Sequence, residues 1–478
     1  MSEKPQELRD NREYLTPDEP LRIEEGNRDG GLNIPEGDLA VLMKCVTWED
    51  KAYFISAGRS ANILRSETIV ADGTEIRGYK LKGIGNYDAE KETVSPPVDE
   101  AFVNRDISEA DALIGDNRIK LMRLLPPFTV HLGINDDGSL RAIPDIAKPI
   151  GGMAAGRGEN EFKIAIELHK NGVPACGPIA WGKYLDLTWQ GKPMEYVILS
   201  QPDAQLCRLG NYLQPDRKTN VAKPNTLIRK IIEQKFGKNP DKPIELLALE
   251  LSSQMGFSIG SVVRQAHEDA GVCRFGCHTG NFSYLPDKNS AYMHDFDSSV
   301  LISSLAPEAR ALSIARDLAS ALIGYVDIIG ESELYHSINN PEEFERINPV
   351  GQIVRGYYSN DINQDITEKV IEIIGELTTS ISSYFPPNPT IHERREWSHW
   401  LHDQVFHKLV IMSYSLFCQS TLANEYKPPY SLHELQKNLI KFRKDSDLAA
   451  KNNILKVREE LPEWAKKLLD EELSRDNS

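Results

Sequence analysis

The pattern of hydrophobic and polar positions divides this chain into a β-rich first half and a helical second half. From Leu39 to about Leu81 lie short runs of aliphatic, β-branched and aromatic residues, which are typical of strands. The runs are LAVLMKCVTW, KAYFISA, NILRSETIV and RGYKLKG. Asp72 and Gly73 separate the last two runs, and an Asp-Gly pair in that place predicts a tight hairpin.

One helix is predicted within the β-rich half. Residues 161–170 form an apolar helical segment. Asn171 and Gly172 follow it and favour a left-handed C-terminal cap, and Pro174 prevents the helix from continuing. A strand-like run, MEYVILS, occupies 194–200.

The rest of the sequence is predominantly helical, because apolar residues recur there with helical spacing. The predicted helices are 226–236, 243–255, 257–270, 308–329, 363–384, 394–420, 431–444 and 446–473. We therefore predict an α+β chain with the bilobal layout of a protein-kinase-like fold, in which a β-rich N-lobe precedes a helical C-lobe.

The predicted domain boundaries follow changes in composition along the chain. They are 1–37 for a charged, flexible or loosely wrapped arm, 38–205 for the N-lobe with an irregular, partly helical insertion at about 87–141, 206–390 for the C-lobe, and 391–478 for a C-terminal helical extension. A chain of 478 residues exceeds one ordinary core, which agrees with two lobes.

Composition narrows the possible partners and the location. The formal net charge of −16 argues against a nucleic-acid partner, because proteins that bind phosphate backbones usually carry surplus Lys and Arg. Six cysteines without a secretory signal pattern indicate a reducing compartment, so we expect a cytoplasmic protein. No apolar run approaches the roughly 20 residues that span a bilayer, so we expect no membrane partner.

The segment CHTGNFSYLPDKNSAYMHDFDSS raises the hypothesis of a metal site. It places Asn281 and Asp295 fourteen positions apart, with a probable hairpin between them. Phosphate-transfer sites need a cation for the triphosphate, a carboxylate that fixes this cation, and oxygen ligands for magnesium. Lys82 at a strand end is a candidate for the cation, and Glu161 or Glu159 at a helix start is a candidate for its partner. Alternatively, these side chains are an ordinary surface lysine and helix-start acids.

Cysteines and histidines near this segment allow a second hypothesis, a zinc site. The residues are His267, Cys273, Cys277, His278 and His294. Structural zinc sites usually contain two Cys-x2–4-Cys units, and the second unit is missing here, which favours buried cysteines instead. A serine hydrolase is not favoured either, because we expect no G-x-S-x-G nucleophile turn. With eleven histidines along the chain, a Ser-His-Asp grouping could arise by chance and carries little weight.

With its elements in this order, the chain resembles the selenoprotein O family, kinase-fold proteins that act as protein adenylyltransferases. The similar stretches lie between about residues 57 and 300 and are AGRSANIL, ADGTEIRGYKLKGIG, ENEFKIAIELHKNGVPACGPIAWG, LSQPDAQLCRLGNY, IRKIIEQKFGKN, VVRQAHEDAGVCRFGCHTGN and HDFDSS. The resemblance implies transfer of AMP from ATP, with Mg²⁺ or Mn²⁺, to a hydroxyl of a protein or a small molecule.

The resemblance also implies roles for individual residues. Lys82 falls on the phosphate-binding lysine, and Glu161 falls on its partner acid. Gly83 and Gly85 belong to the adjoining LKGxG stretch and are expected at the nucleotide. Arg208 falls on the second of two arginines that bind the nucleotide phosphates. Its expected role is therefore a further positive charge on the phosphates.

The catalytic loop departs from the pattern of the resembled family. Asn281 and Asp295 fall on its metal ligands, and Asp295 opens a DYG-like triplet. The Asp expected just before Asn281 is Gly280, and the base position of protein kinases is Gly276. The sequence therefore contains no catalytic Asp at either place.

Further departures affect the phosphate and acceptor sides. The first arginine of the expected pair is Gln201, and the last cysteine is Cys418, so a C-terminal redox motif is missing. His278 or Asp297 could replace the absent proton acceptor. The catalytic candidates are therefore Asp295, His278 and Asp297.

Three functional hypotheses remain open at this level. The first is a nucleotidyltransferase that moves AMP. The second is a phosphotransferase acting on a small molecule or a protein, because HTGN…HDFDS is also similar to aminoglycoside-kinase-like enzymes. The third is a nucleotide-binding pseudoenzyme scaffold, which the glycines at 276 and 280 favour.

Overall fold

The structure is a computed structural model that describes a large part of the chain. The described residues are 13–24, 26–50, 55–56, 60–88, 93–99, 130–144, 149–202, 209, 226–238, 240–275, 277–330, 341–359, 361–362, 364–383, 405–460, 466 and 470. Strands and helices alternate with loops over these ranges, which confirms the prediction of a mixed helix-and-strand protein.

The strands are β1 (Glu13–Tyr14), β2 (Ile55–Ser56), β3 (Ser60–Ala71), β4 (Thr74–Lys82), β5 (Asn86–Asp88), β6 (Thr93–Ser95), β7 (Val130–Ile134), β8 (Leu140–Pro144), β9 (Pro178–Trp189), β10 (Lys192–Gln201), β11 (Val272–Cys273), β12 (Phe282–Leu285), β13 (Ser290–Met293) and β14 (Val300–Leu301). The helices are α1 (Glu36–Val46), α2 (Arg157–Lys170), α3 (Thr226–Phe236), α4 (Ile244–Glu268), α5 (Pro307–Gly330), α6 (Pro341–Ile347), α7 (Gly351–Tyr358), α8 (Gln364–Ser383), α9 (Phe406–Phe417), α10 (Leu422–Glu425) and α11 (Leu432–Glu460).

A five-stranded antiparallel sheet, in the order β2-β3-β4-β10-β9, forms the centre of the β-rich part. The predicted hairpin between β3 and β4 is confirmed: Asp72 and Gly73 have φ of 49° and 80°, and two positive angles are what a type I′ turn requires. Strand β9 was not predicted. It pairs with β10, which confirms and extends the run expected at 194–200.

The sheet separates two hydrophobic cores. Alternate residues of a strand point to opposite faces, so Tyr79 and Leu81 of β4 face a smaller core that α1 closes. Lys80 and Lys82 lie on the opposite face of the same strand, toward α2 and the larger core of the helical part. The chain therefore places two lysines at the boundary between its sheet and its helices.

The strand predicted over LAVLMKCVTW is wrong, because this segment belongs to α1. Its buried residues are Leu42, Cys45 and Val46, which are spaced three and four positions apart and form one face of a helix. The β-branched and aromatic content of the segment suggested a strand, but burial follows the helical period. The helix packs this face on the sheet.

Helix α2 begins at Arg157, four residues before the predicted start, because its first N–H groups have an acceptor from outside the helix. Glu195 on β10 supplies this acceptor and is buried. Its carboxylate oxygens accept the N–H groups of Gly156, Gly158 and Glu159 at 2.8, 2.8 and 3.1 Å. A carboxylate at a helix N-terminus also complements the helix dipole. The sheet therefore fixes the start of α2.

Two pairs of predicted helices are each a single helix. Segments 243–255 and 257–270 form α4, and segments 431–444 and 446–473 form α11 as far as Glu460. The helices predicted at 226–236, 308–329 and 363–384 are confirmed within about two residues, the usual boundary uncertainty. Of the segment 394–420, Phe406–Phe417 is helical and residues 394–404 lie outside the described residues.

Helix α4 continues through Gly256. The absence of a side chain there lets the segment around Pro349 approach the helix closely. A Cβ atom at Gly256 would lie 2.2 Å from the carbonyl oxygen of Pro349, and one at Gly260 would lie 2.0 Å from that of Ile353.

Among the described helices, α4 alone is long and apolar enough to cross a membrane, and 61% of its most apolar window is buried inside the protein. Its burial favours a core helix.

The described part of the N-terminal arm contacts both a small three-stranded sheet, β1-β6-β5, and the five-stranded sheet. Strand β1 pairs with β6, and the N–H of Asn27 donates to the carbonyl of Trp181 at 2.8 Å. Leu32 and Ile34 are buried in the smaller core. Residues 1–12 lie outside the described residues, and whether the arm as a whole is flexible or loosely wrapped stays a prediction.

The insertion and the C-terminal extension pack on each other. The described residues of the insertion form strands β5 to β8 near its two ends. Residues 100–129 lie outside the described residues, so the helical piece predicted within the insertion stays a prediction. Leu132 of β7 belongs to the larger core, and the Tyr430 hydroxyl donates to the Gly138 carbonyl at 3.0 Å. Helices α9 and α11 are part of the same core, so the C-terminal region is continuous with the helical part.

Candidate functional site

Lys82 lies at the end of β4 and contacts acids from two other elements. Its Nζ atom binds a carboxylate oxygen of Glu161 on α2 and lies 2.5 Å from Oδ1 of Asp295, just after β13. The side chains of Lys82 and Glu161 are almost fully buried, whereas that of Asp295 is 23% exposed. Glu159 pairs instead with Lys163 on the surface of α2. The acid that faces Lys82 is therefore Glu161.

A hairpin explains the proximity of Asn281 and Asp295. Strands β12 and β13 pair from Phe282 opposite Met293 onward, which confirms the predicted hairpin. The N–H of His294 donates to the carbonyl of Asn281 at 3.1 Å, which extends the pairing by one residue. Asn281 and Asp295 therefore flank the same end of the hairpin, beside Lys82.

Three carboxylates gather at this end of the hairpin. Ligand oxygens of Glu161, Asp295 and Asp297 lie within 4.8 Å of one another. Burial raises the pKa of Glu161, Lys82 opposes this shift, and the charges of Asp295 and Asp297 add to it. Because like charges at this distance repel, the cluster favours binding of a proton or a divalent cation. Carboxylate oxygens are the ligands that Mg²⁺ prefers.

Helix α2 also holds the loop that follows Asp295. Glu161 Oε1 accepts the N–H of Phe296 at 3.2 Å. The Asn160 amide donates to the carbonyls of Asp297 and Ser299 at 3.1 and 2.9 Å, and Arg157 Nη1 donates to that of Asp297 at 3.1 Å. One turn of α2 therefore positions both the partner of Lys82 and the backbone of the acidic loop.

Arg274 supports the same loop from the other side. Its Nη2 atom donates to the carbonyls of His294 and Asp295, each at 2.8 Å. The guanidinium lies over the rings of Phe282 and Phe296, at 5.4 and 5.5 Å from their centroids. Asp295 has φ of 71°, a left-handed conformation that Asp tolerates better than most residues. A buried arginine therefore stabilises an unusual backbone at the candidate metal ligand.

The zinc hypothesis gains little from the structure. Ligand atoms of His267, Cys273 and Asp317 lie within 4.8 Å of one another, and the other residues considered for zinc are outside this cluster of described residues. His267 contacts the Tyr357 hydroxyl at 2.7 Å and Asp317 at 2.9 Å, and the Cys273 thiol donates to the Ser313 carbonyl. Burial raises the pKa of Cys273 well above its ordinary value, which disfavours a thiolate. The cluster is a buried hydrogen-bond network.

His278 has a defined orientation in the loop that precedes Asn281. Its Nδ1 accepts the N–H of Gly280 at 3.0 Å, and its Nε2 lies 3.7 Å from a carboxylate oxygen of Asp327. An imidazole nitrogen that accepts a hydrogen bond carries no proton, so the proton of the neutral ring is on Nε2. In this arrangement the lone pair that a general base needs is already in use.

Several predicted residues have other contacts or lie outside the described residues. A Cβ atom on Gly83 would lie 2.4 Å from the Glu195 carbonyl oxygen, and the N–H of Gly85 donates to the Gly151 carbonyl at 3.1 Å. Both glycines therefore pack closely against backbone from other segments of the protein. Their role at a nucleotide stays a prediction. Arg208 and Gly276 lie outside the described residues.

A serine-hydrolase motif was missed at the sequence level. Residues 256–260 spell G-x-S-x-G, the pattern of a strand-to-helix nucleophile turn. Here the motif lies in the middle of α4, and the Ser258 hydroxyl accepts the N–H of Ala291 at 2.7 Å. A serine inside a helix is not at such a turn, so the motif is structural.

Sequence patterns did not indicate four residues that support the site. Glu195, Arg274 and Asn160 act through hydrogen bonds to distant backbone, and such contacts have no local signal. Lys80 could have been found, because it precedes Lys82 by two positions and a strand places both on one face.

Comparison with known proteins leaves the family of this chain open. A scan against protein-family models found no match, and a search of curated proteins found no significantly similar sequence. The resemblance to the selenoprotein O family therefore depends on the motifs themselves.

Proposed function

We propose that this chain is an ATP- and metal-dependent transferase with a kinase-like fold, which moves AMP from ATP to a hydroxyl group of a protein or a small molecule. The observation that carries the proposal is the buried contact of Lys82 with Glu161 and Asp295. A lysine paired with a helix glutamate, beside a carboxylate for the metal, is how kinase-like sites hold a triphosphate. An antiparallel sheet followed by a helical part supports the same kind of fold.

The donor set of the site fits a divalent cation. Asp295 and Asn281 are the expected ligands, and Asp297 offers a further oxygen within 4.8 Å of the Asp295 carboxylate. These are hard oxygen donors, which suit Mg²⁺ or Mn²⁺ better than softer metals. When bound, such an ion would supply positive charge for the phosphate oxygens.

In the proposed reaction the acceptor hydroxyl oxygen bonds to the α-phosphorus of ATP. The bond from that phosphorus to the oxygen bridging it to the β-phosphate breaks, and pyrophosphate leaves with the electron pair. Lys82 would bind phosphate oxygens and offset the charge on the leaving group. The hydroxyl proton passes to Asp297 or to water, since the Nδ1 lone pair of His278 is occupied.

A nucleotide-binding pseudoenzyme is the second candidate. It is favoured by Gly280, which offers no side chain at the place of the expected catalytic acid, and by the engaged ring of His278. A missing base lowers the rate of transfer by about 10²–10⁴-fold, whereas positioning and charge stabilisation carry most of such transfers. We therefore rank slow transfer above binding alone.

ATP labelled in turn on the α- and γ-phosphorus tests these candidates. The purified protein is incubated with Mg²⁺ or Mn²⁺ and each labelled ATP, with itself and with small hydroxyl compounds as acceptors. Transferred α label supports the proposal, and transferred γ label would replace it with a phosphotransferase. Binding of ATP with transfer of neither label would indicate the pseudoenzyme.

Two matched variants connect the result to the site. Glu161→Gln removes the carboxylate charge beside Lys82 and should reduce ATP binding, whereas Glu159→Gln, on the surface of the same helix, should not. Wild-type protein that binds no ATP with either metal would overturn the proposal.

A further inference from the structure

Lys80 is a second buried lysine on the face of β4 that carries Lys82. Two strand residues on one face are separated by about 6.5–7 Å along the strand. Lys80 is 5% exposed, and its Nζ lies 3.3 Å from Nδ1 of His294, which is 4% exposed. Because His294 immediately precedes Asp295, the two lysines meet neighbouring residues of the same loop. Lys80 therefore lies on the same sheet face as the Lys82 contact and meets the same loop.

Gln201 lies beside Lys80 on the same face of the sheet. In the antiparallel pairing of β4 and β10, Leu199 is opposite Lys80 and Gln201 is opposite Gly78, so Gln201 is a diagonal neighbour of Lys80 on the same face. Gln201 is 5% exposed, and its Oε1 has no hydrogen-bond partner. Its Nε2 lies 3.5 Å from the Tyr292 hydroxyl.

The amide of Gln201 can present a donor where its oxygen now lies. Oxygen and nitrogen of an amide exchange places when the group turns by half a turn, and Tyr292 can then donate to Oε1. The amide N–H₂ would then hold a buried donor without a partner, at the place that Oε1 now occupies. A buried amide without a partner is costly, so a ligand with acceptor oxygens would stabilise this orientation.

Charge is distributed unequally over the groups around Lys80 and Lys82. The carboxylates of Asp295 and Asp297 lie on one side of Lys82, where a metal would bind. Lys80, the imidazole of His294 and the amide of Gln201 lie further along the sheet face, and together they offer a cation and neutral hydrogen-bonding groups. A ligand that is metal-bound at one end and anionic at the other fits this distribution.

We propose that Lys80, His294 and Gln201 form a second anion subsite beside Lys82, which takes the terminal phosphates of a polyphosphate chain. The proposal rests on the proposed function, in which pyrophosphate leaves from this chain of phosphates. The same chemistry is present in the triphosphate of ATP and in free inorganic polyphosphate. Lys80 then acts on affinity for the phosphates beyond the α-phosphate and not on recognition of the nucleoside.

Calorimetric titration with three ligands tests the subsite in the full-length protein with Mg²⁺. The ligands are ATP, inorganic tripolyphosphate and AMP. Lys80→Met should weaken ATP and tripolyphosphate by about 10- to 100-fold, the range for loss of a charged hydrogen bond, and should leave AMP unchanged. Lys80→Arg should restore part of the affinity. Lys192→Met, which changes an exposed lysine of β10, is the matched control and should change none of the three.

The possible outcomes separate the two proposals. Equal loss of ATP and AMP affinity in Lys80→Met, or no loss of either, would overturn the subsite. Should the lysine variant fold poorly, Gln201→Leu gives a second test with the same three ligands. Wild-type protein that binds tripolyphosphate but not ATP would retain the subsite, assign it to free polyphosphate, and overturn the proposed function. Wild-type protein that binds neither would overturn both.

Discussion

Arg274 donates a 2.8 Å hydrogen bond to the carbonyl of Asp295, the residue whose carboxylate contacts Lys82. The same Nη2 atom bonds the carbonyl of His294. Asp295 has φ of 71°, and a left-handed conformation costs about 1–2 kcal/mol for most residues. The hydrogen bonds of Arg274 therefore offset the conformational energy of a backbone that directs the Asp295 carboxylate to Lys82. This relationship makes Arg274 a positioning residue for the candidate metal site.

We expect Arg274→Met to weaken metal-dependent ATP binding by at least about tenfold, because two buried carbonyls lose a charged donor, worth about 1.5–3 kcal/mol. Methionine retains apolar contact with the flanking rings. Titration calorimetry with ATP and Mg²⁺ measures the effect. Arg264→Met removes another stacked arginine, over Tyr357, and should lower stability without changing ATP affinity. Equal affinities in the two variants would contradict a positioning role.

We expect Asp295→Asn to remove metal-dependent ATP binding and to lower the melting temperature only through its lost charge contact with Lys82. Asn tolerates the left-handed conformation about as well as Asp, so the substitution removes charge without adding backbone strain. Asp295→Ala should lose the same binding and also about 1–2 kcal/mol of stability. Thermal unfolding and metal titration of both variants measure these effects. Unchanged Mg²⁺-dependent binding in Asp295→Asn would exclude Asp295 as a metal ligand.

Gly280→Asp should raise the rate of α-label transfer if the missing acid limits the reaction. A Cβ atom at Gly280 would lie 2.9 Å from Nδ1 and 3.4 Å from Cε1 of His278, so the imidazole must move. The double variant Gly280→Asp/His278→Ser provides the space and should show the larger rise. Transfer assays with α-labelled ATP compare the two with His278→Ser alone. No gain in either variant would indicate that the acid is not what this chain lacks.

His407 makes the docking of α11 on α9 sensitive to acid. Burial, together with Arg443, lowers the pKa of His407 from 6.5 to about 4, and its ring packs 5.7 Å from that of Phe442. Because the unfolded chain takes up this proton at higher pH, stability is complete above about pH 6.5 and falls as the pH drops toward 4, by at most about 3 kcal/mol. Denaturant unfolding between pH 7 and 4 measures the loss. His407→Leu should lose less stability over that interval, and an identical loss would exclude His407 as its source.

Gly356→Ala should destabilise the helical core. A Cβ atom there would lie 1.9 Å from the carbonyl oxygen of Phe257, so α7 and α4 would have to separate. Overpacking of this kind typically costs about 1–3 kcal/mol. Gly37→Ala, at a helical position with open space around it, should be neutral or stabilising. Chemical denaturation of both variants checks the contrast, and similar stabilities would contradict the close approach of the two helices.

Local rules predicted the elements whose formation depends on neighbours in sequence. The Asp72-Gly73 turn, the left-handed end of α2 at Gly172 and the β12–β13 hairpin follow from such rules, and all three are present. The segment LAVLMKCVTW was wrong because its β-branched residues outweighed the three-and-four spacing of the residues it buries. Composition and periodicity competed there, and periodicity decided the structure.

The site was only partly predictable for a different reason. Lys82, Glu161 and Asp295 were identified through motif order, but their supports are contacts between residues far apart in sequence. Glu195 accepts three N–H groups that precede it by 36 to 39 positions, and Arg274 bonds a carbonyl 21 positions away. No spacing rule links a side chain to a backbone group at such separations. Only the folded chain brings them together.

The capping of α2 by Glu195 has a mechanical consequence. Glu195 belongs to β10, which pairs directly with β4, so β10 holds both the strand that carries Lys82 and the helix that carries Glu161. The loop bearing Asp295 is tied to this same helix, because Asn160 and Arg157 of α2 donate to its backbone carbonyls. A displacement of β10 would therefore be transmitted to Lys82, Glu161 and Asp295 together, so one strand keeps the three charged groups in register.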